Sequence, residues 1–120
     1  MLTSINPANN KLIITYDETS SEESLKIISI ADDAFTIWKE TSFAHRSELM
    51  KNAARVLREN SEEYSVLMTM EMGKPIGQSR AEVEKCAWVC DYYAGNAEKF
   101  LADEIIKTEA TKSFVSYQPL

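Results

Sequence analysis

The sequence predicts a mainly α fold with short β segments, an α+β class, and three observations carry that reading. Only 3 Gly and 3 Pro occur in 120 residues, too few for the turn-dense all-β folds or for glycine-rich phosphate loops. Apolar residues recur at steps of three and four through most of the chain, the period of one helix face. Segments rich in β-branched and aromatic residues are confined to the two ends.

Asn6-Pro7-Ala8-Asn9-Asn10 is turn-rich and precedes Leu12-Ile13-Ile14-Thr15-Tyr16, which is predicted as a short strand. Ser20 stands three residues ahead of Glu23, the spacing at which the two side chains serve free amides at a helix start. The helix that follows carries Leu25, Ile28, Ala31, Phe35 and Trp38 on one stripe and runs to about Glu40. A second helix is expected from about Ala44 to Glu59, with Leu49, Ala53, Val56 and Leu57 on one face and Arg46, Lys51, Arg55 and Arg58 mostly on the other. Asn60-Ser61 interrupts it, and Ser61 is read as the cap of a third helix, with Glu62 and Glu63 placed favourably against the positive end of its dipole. Gly73 can take the left-handed conformation that ends this helix, and Pro75 follows. The longest periodic run, Ile76 to Leu101, places Val83, Cys86, Ala87, Cys90, Tyr93, Ala94, Ala97 and Phe100 or Leu101 along one stripe. Residues 104–108 and 113–117 are β-prone and are expected to form a terminal hairpin or ribbon.

The chain has the size of one domain, and 44% hydrophobic with 27% charged residues is the composition of a folding chain. Residues 1–120 are therefore expected to form a single incomplete domain: strand and helices over 1–103, ribbon over 104–120. It is called incomplete because a two-stranded ribbon is marginal in water and leaves an unpaired edge close to Leu120. Either a second copy of the chain pairs with that edge, or the sequence belongs to a larger sheet. A net charge of −6 argues against nucleic acid as a partner. No run approaches the roughly 20 apolar residues of a membrane helix, and MLTSINPANN lacks the basic-then-apolar order of a signal peptide, so no membrane partner and a cytoplasmic location are expected.

Residues able to carry chemistry are few. Cys86 and Cys90 lie in mid-helix, four apart, and are read as reduced, buried structural thiols. They could present two thiolates to a metal, but zinc needs further Cys or His ligands and the chain has one histidine. That residue, His45, is read as a surface or capping residue beside Arg46. Glu82, Glu84 and Asp91 could make a carboxylate pair, although a solvated helix face explains them more simply. Met68, Met70 and Met72 suggest an adaptable binding surface or, more simply, core filling at the end of a packed helix. No catalytic, cofactor-binding or metal-ligating residue is assigned.

Four stretches, in order, resemble the N-terminal part of the aldehyde dehydrogenase superfamily: Ile5-Asn6-Pro7-Ala8, Ala34-Phe35 through Trp38, Glu71-Met72-Gly73-Lys74-Pro75, and Ala81-Glu82-Val83 through Tyr92-Tyr93-Ala94. Glu71 to Pro75 followed by Ala81 to Ala87 is most similar to bacterial NAD(P)-dependent succinate-semialdehyde dehydrogenases. The resemblance implies an N-terminal fragment of that fold, with the terminal ribbon belonging to an oligomerisation arm through which residues 104–120 self-associate. Tyr117-Gln118-Pro119-Leu120 resembles the strand that leads into the dinucleotide-binding domain. The family reaction needs a nucleophilic Cys, a Glu that activates water and an Asn that helps hold the oxyanion. In the family these follow a Pro-Trp-Asn type, a Glu-Leu-Gly-Gly and a Gly-Gln-x-Cys segment, none of which is present here. The resemblance thus implies NAD or NADP for the parent enzyme, no cofactor bound by this chain alone, an aldehyde substrate only in a complete enzyme, and no activity in isolation. Some relatives hold a monovalent cation near the Asn-Pro segment and an acidic residue at the place of Glu71; with further oxygen ligands missing, none is expected here. The alternative is a free-standing helical interaction module that keeps the family's outer shell.

Overall fold

The computed structural model describes residues 1–119, and Leu120, the end of the expected ribbon, lies outside the described residues. Its elements run β1 (Leu2–Ile5), β2 (Leu12–Tyr16), α1 (Ser21–Trp38), α2 (Phe43–Glu59), α3 (Ser61–Met72), α4 (Ile76–Phe100), β3 (Glu104–Ile105) and β4 (Phe114–Val115). This is the expected helix-dominated α+β class with β segments at both ends.

Strand β1 was not expected. It pairs antiparallel with β2, Leu2 opposite Tyr16 and Ser4 opposite Ile14, with a register shift at Ile5. The turn between them is built by asparagines. The Asn6 side chain accepts from the Ala8 amide at 2.9 Å and the Asn9 side chain from the Lys11 amide at 3.0 Å, while Asn10 takes φ 57°, a left-handed conformation that asparagine tolerates better than most residues. The turn-rich reading of residues 6–10 was right; its meaning was a hairpin.

The helix starts follow local capping chemistry. Ser20 Oγ accepts the Glu23 amide at 3.1 Å and Ser42 Oγ the His45 amide at 3.2 Å, so α1 begins where expected and α2 one residue earlier. Ser61 is not the cap of α3. Asn60 joins α2 to α3 with non-helical φ −108°, and its side-chain amide donates back to the Val56 carbonyl at 2.8 Å rather than capping forward. Gly73 ends α3 at φ 69°, as expected of a left-handed C-cap.

Packing centres on α4, against which α2 and α3 lie, whereas α1 has only marginal contact with the rest. The buried residues are small: Ala54 on α2, Ser65 on α3, and Ser79, Val83 and Ala87 on α4. Small side chains let helix backbones approach closely, and hydroxyls then find partners across the seam. Ser47 Oγ donates to the Ala94 carbonyl at 2.7 Å, and Thr69 and Ser79 share a hydrogen bond at 3.0 Å. The expected α2 face is corrected accordingly: Leu49, Ala53 and Val56 are exposed, and only Leu57 of that set is half-buried. The stripe of α1 is correct as a helical period but looks outward, Leu25 being 68% and Ile28 63% exposed.

The ribbon is present but shorter than expected, with Glu104 opposite Val115 and Ile105 opposite Phe114. Its neck is closed by the Ile106 amide to the Ser113 carbonyl at 2.9 Å and by a Thr108–Ser113 hydroxyl pair at 2.7 Å.

Candidate functional site

The stretch Glu71–Pro75, too particular for an ordinary helix end, meets the N-terminal hairpin. Ser4 Oγ donates to Glu71 Oε1 at 2.8 Å in a part-buried setting. A Cβ placed on Gly73 would stand 3.0 Å from Pro7 Cγ, so the proline ring lies against the glycine face. Lys74 pairs with Glu82 on α4. Two segments distant in the chain thus form one junction between hairpin, α3 and α4. Glu71 is engaged by a hydroxyl there, and among the described residues no group of three or more His, Cys, Asp or Glu can hold a metal ion.

The acidic residues of α4 form no carboxylate pair. Glu84 and Asp91 both grip Arg58 of α2, at 3.1 and 2.8 Å, and hydrogen bonding to Asp91 first and Glu84 second raises the Arg58 pKa. Arg80 makes a forked pair with Glu62 of α3 at 2.8 and 2.6 Å; the same bonds raise the Arg80 pKa and lower that of Glu62. These carboxylates belong to exposed ion pairs that set helix against helix, a use the solvated-face reading had missed.

Other candidates are dispersed. His45 is exposed, with its ring edge-on to Trp38 at 6.4 Å between centroids, in agreement with a surface residue. Cys86 is exposed and Cys90 half-exposed, which corrects the buried reading; the seam of α4 follows Val83 and Ala87 and leaves the thiols at its margin. Met68 is half-buried, but Met70 is exposed and Met72 is 71% exposed, so core filling holds for Met68 alone. Between the start of α2 and the end of α4 lies a cleft of about 340 Å³ whose walls include Phe43, Arg46, Met50, Tyr93 and Leu101. Arg46 stacks over Phe43 at 4.7 Å, and its buried Nε has no hydrogen-bond partner among the described residues. Sequence reasoning missed this cleft because it assigned Arg46 to a polar face.

The largest feature is surface. Leu25, Ile28 and Trp38 of α1, Leu67 and Met70 of α3, and Trp88 of α4 are exposed. The chain presents 9739 Å² to solvent, against about 6,600 Å² for a compact monomer of its mass. Its radius of gyration of 20.6 Å compares with about 14 Å for a compact domain of equal length. The surplus, roughly 3,000 Å² on this chain alone, is no smaller than one partner's half of the about 2,000–5,000 Å² that obligate interfaces bury in total. No helix among the described residues is long and apolar enough to cross a membrane.

The described residues thus form a layer of helices that leaves large apolar side chains of α1, α3 and α4 exposed. The sequence profile of the aldehyde dehydrogenase family matches residues 1–120, and the chain belongs to that family. It is 41% identical over 119 residues to a probable succinate-semialdehyde dehydrogenase [NADP(+)] of Synechocystis sp., covering 99% of this chain and 26% of that protein. It is 35% identical over 117 residues to the succinate semialdehyde dehydrogenase [NAD(P)+] Sad of Escherichia coli, covering 98% and 25% respectively. Among solved structures it superposes on Gox0499, studied for cofactor and substrate selection, with TM-score 0.94 and 28% identity over 100% of this chain and 27% of that one. It also superposes on the NADP+ complex of Streptococcus pyogenes succinic semialdehyde dehydrogenase, with TM-score 0.87 and 26% identity over 93% and 25%. The chain spans about a quarter of the length of these relatives.

Proposed function

We propose that this chain is the N-terminal part of an NAD(P)-dependent aldehyde dehydrogenase that oxidises succinate semialdehyde to the acid, and that alone it neither binds the nicotinamide cofactor nor turns over. The carrying observation is the uncovered surface of roughly 3,000 Å² on a chain that aligns with a quarter of its relatives. In this reading residues 1–103 form the helical shell, residues 104–120 form the arm that joins subunits, and the working enzyme is cytoplasmic. The chemistry of a thiolate attacking an aldehyde, hydride passing to nicotinamide and water releasing the acid belongs to residues outside these 120. Cys86 and Cys90 have no part in it; no hydrogen bond among the described residues joins either to His45. The test is the absorbance of reduced nicotinamide formed by the purified chain from succinate semialdehyde with NAD or NADP. No rate above blank is expected, and turnover would refute the proposal.

The exposed ribbon favours one second reading, a free-standing interaction module that self-associates. Ile105 is 73% exposed and its partner strand β4 has an open edge. Light scattering with and without residues 104–120 tests self-association: ribbon-dependent dimers would support assembly through the arm, and equal monomeric masses would count against it.

A further inference from the structure

We infer that Cys86 and Cys90 form a two-thiolate seat for a soft monovalent ion, copper(I), a site independent of the dehydrogenase reading. The two residues lie one turn apart on α4, both thiols are free, and both line one shallow surface cleft together with Lys85 and Val89. One helical turn sets their Cβ atoms about 5–6 Å apart, beyond the roughly 3.8 Å of a disulfide. The pair therefore stays open on an intact helix, and an ion between the sulfurs supplies the missing length.

The chemistry of the ion follows from what surrounds the pair. Zinc needs four ligands, and among the described residues no third Cys, His or carboxylate completes a cluster. Glu82, which shares the cleft, is held by Lys74. Thiolates suit copper(I), zinc and iron–sulfur clusters; of these only copper(I) is satisfied by two sulfurs, in a near-linear arrangement. On binding, two S–H bonds break, two Cu–S bonds form and two protons leave to solvent; copper stays monovalent and no electron moves. The complex carries one negative charge, which the Lys85 ammonium at the same cleft offsets.

The test gives the reduced chain copper(I) as its bicinchoninate complex under anaerobic conditions. The chain should withdraw one ion, while zinc(II) at equal concentration is not retained. Cys86→Ser and Cys90→Ser should each weaken retention by roughly tenfold or more, and M70L/M72L, which removes two exposed thioethers, should leave it unchanged. X-ray absorption on the wild-type complex, which needs no variant to fold, should show two sulfur neighbours. Failure of the wild type to compete, retention by both serine variants, loss in M70L/M72L, or a shell other than two sulfurs would each overturn the site.

Discussion

The Ser4 hydroxyl donates to the Glu71 carboxylate at 2.8 Å across 67 residues of chain, and this bond ties the N-terminal hairpin to the end of α3. It is one of the few contacts by which β1 and β2 are held to the helices at all. A part-buried hydroxyl–carboxylate bond contributes about 1–2 kcal/mol, and removing one partner strands the other. S4A and E71A should each lower stability by about that much, and the double variant should cost little more than the worse single. Urea unfolding followed by circular dichroism measures the cycle; full additivity would show that the bond does not couple the two elements.

Gly73 is constrained twice, by a φ of 69° and by Pro7 Cγ at 3.0 Å from where a Cβ would stand. G73A should cost about 1–2 kcal/mol from the left-handed backbone, and a further part from displacing the proline ring. P7A combined with G73A should recover that second part only, measured in the same urea experiment.

The seam between α2 and α4 depends on small residues, Ala54 and Ala87 both being fully buried. Ala87→Leu should destabilise by about 1–3 kcal/mol through overpacking, whereas enlarging the exposed Ala53 to Leu should change little. A thermal melt of each variant distinguishes them. Equal melting temperatures would place the seam elsewhere.

Arg80 holds the Glu62 carboxyl below its ordinary value of 4.5 through a hydrogen-bonded pair. A carboxylate whose folded value is depressed adds stability that is present above its unfolded value and lost as pH falls through the folded one. Stability should therefore decline as pH drops below about 4.5, and E62Q should flatten part of that slope without altering stability between pH 6 and 8 by more than a surface pair contributes. An unchanged slope would assign acid sensitivity to other carboxylates.

Helix boundaries were legible because caps act locally: Ser20, Gly73 and Pro75 each carry their meaning within four residues. Facing was not. Periodicity marks which residues share a stripe, but it assumes that large apolar stripes pack inward. Here α4 packs through Ser79, Val83 and Ala87, and Leu25, Ile28 and Trp38 of α1 are exposed. Strand β1 was missed because Leu2-Thr3-Ser4-Ile5 is too short and mixed to signal alone; its pairing depends on an asparagine-built turn that only geometry reveals. The junction of Ser4 and Pro7 with Glu71 and Gly73 was likewise invisible in one dimension, although Pro7 and Glu71–Pro75 both lie in stretches that carry the family resemblance. The cysteines were read as buried from a general tendency, which a helix with one packed face need not follow.

The central claim is that the uncovered side of this shell is shaped for the remainder of a dehydrogenase. The most direct measurement replaces the matching stretch of the Synechocystis relative with residues 1–120 and records nicotinamide reduction with succinate semialdehyde. The account predicts a soluble chimera whose turnover lies within about tenfold of the parent, a barrier change of about 1.4 kcal/mol. A chimera that is soluble and helical yet inert would contradict it.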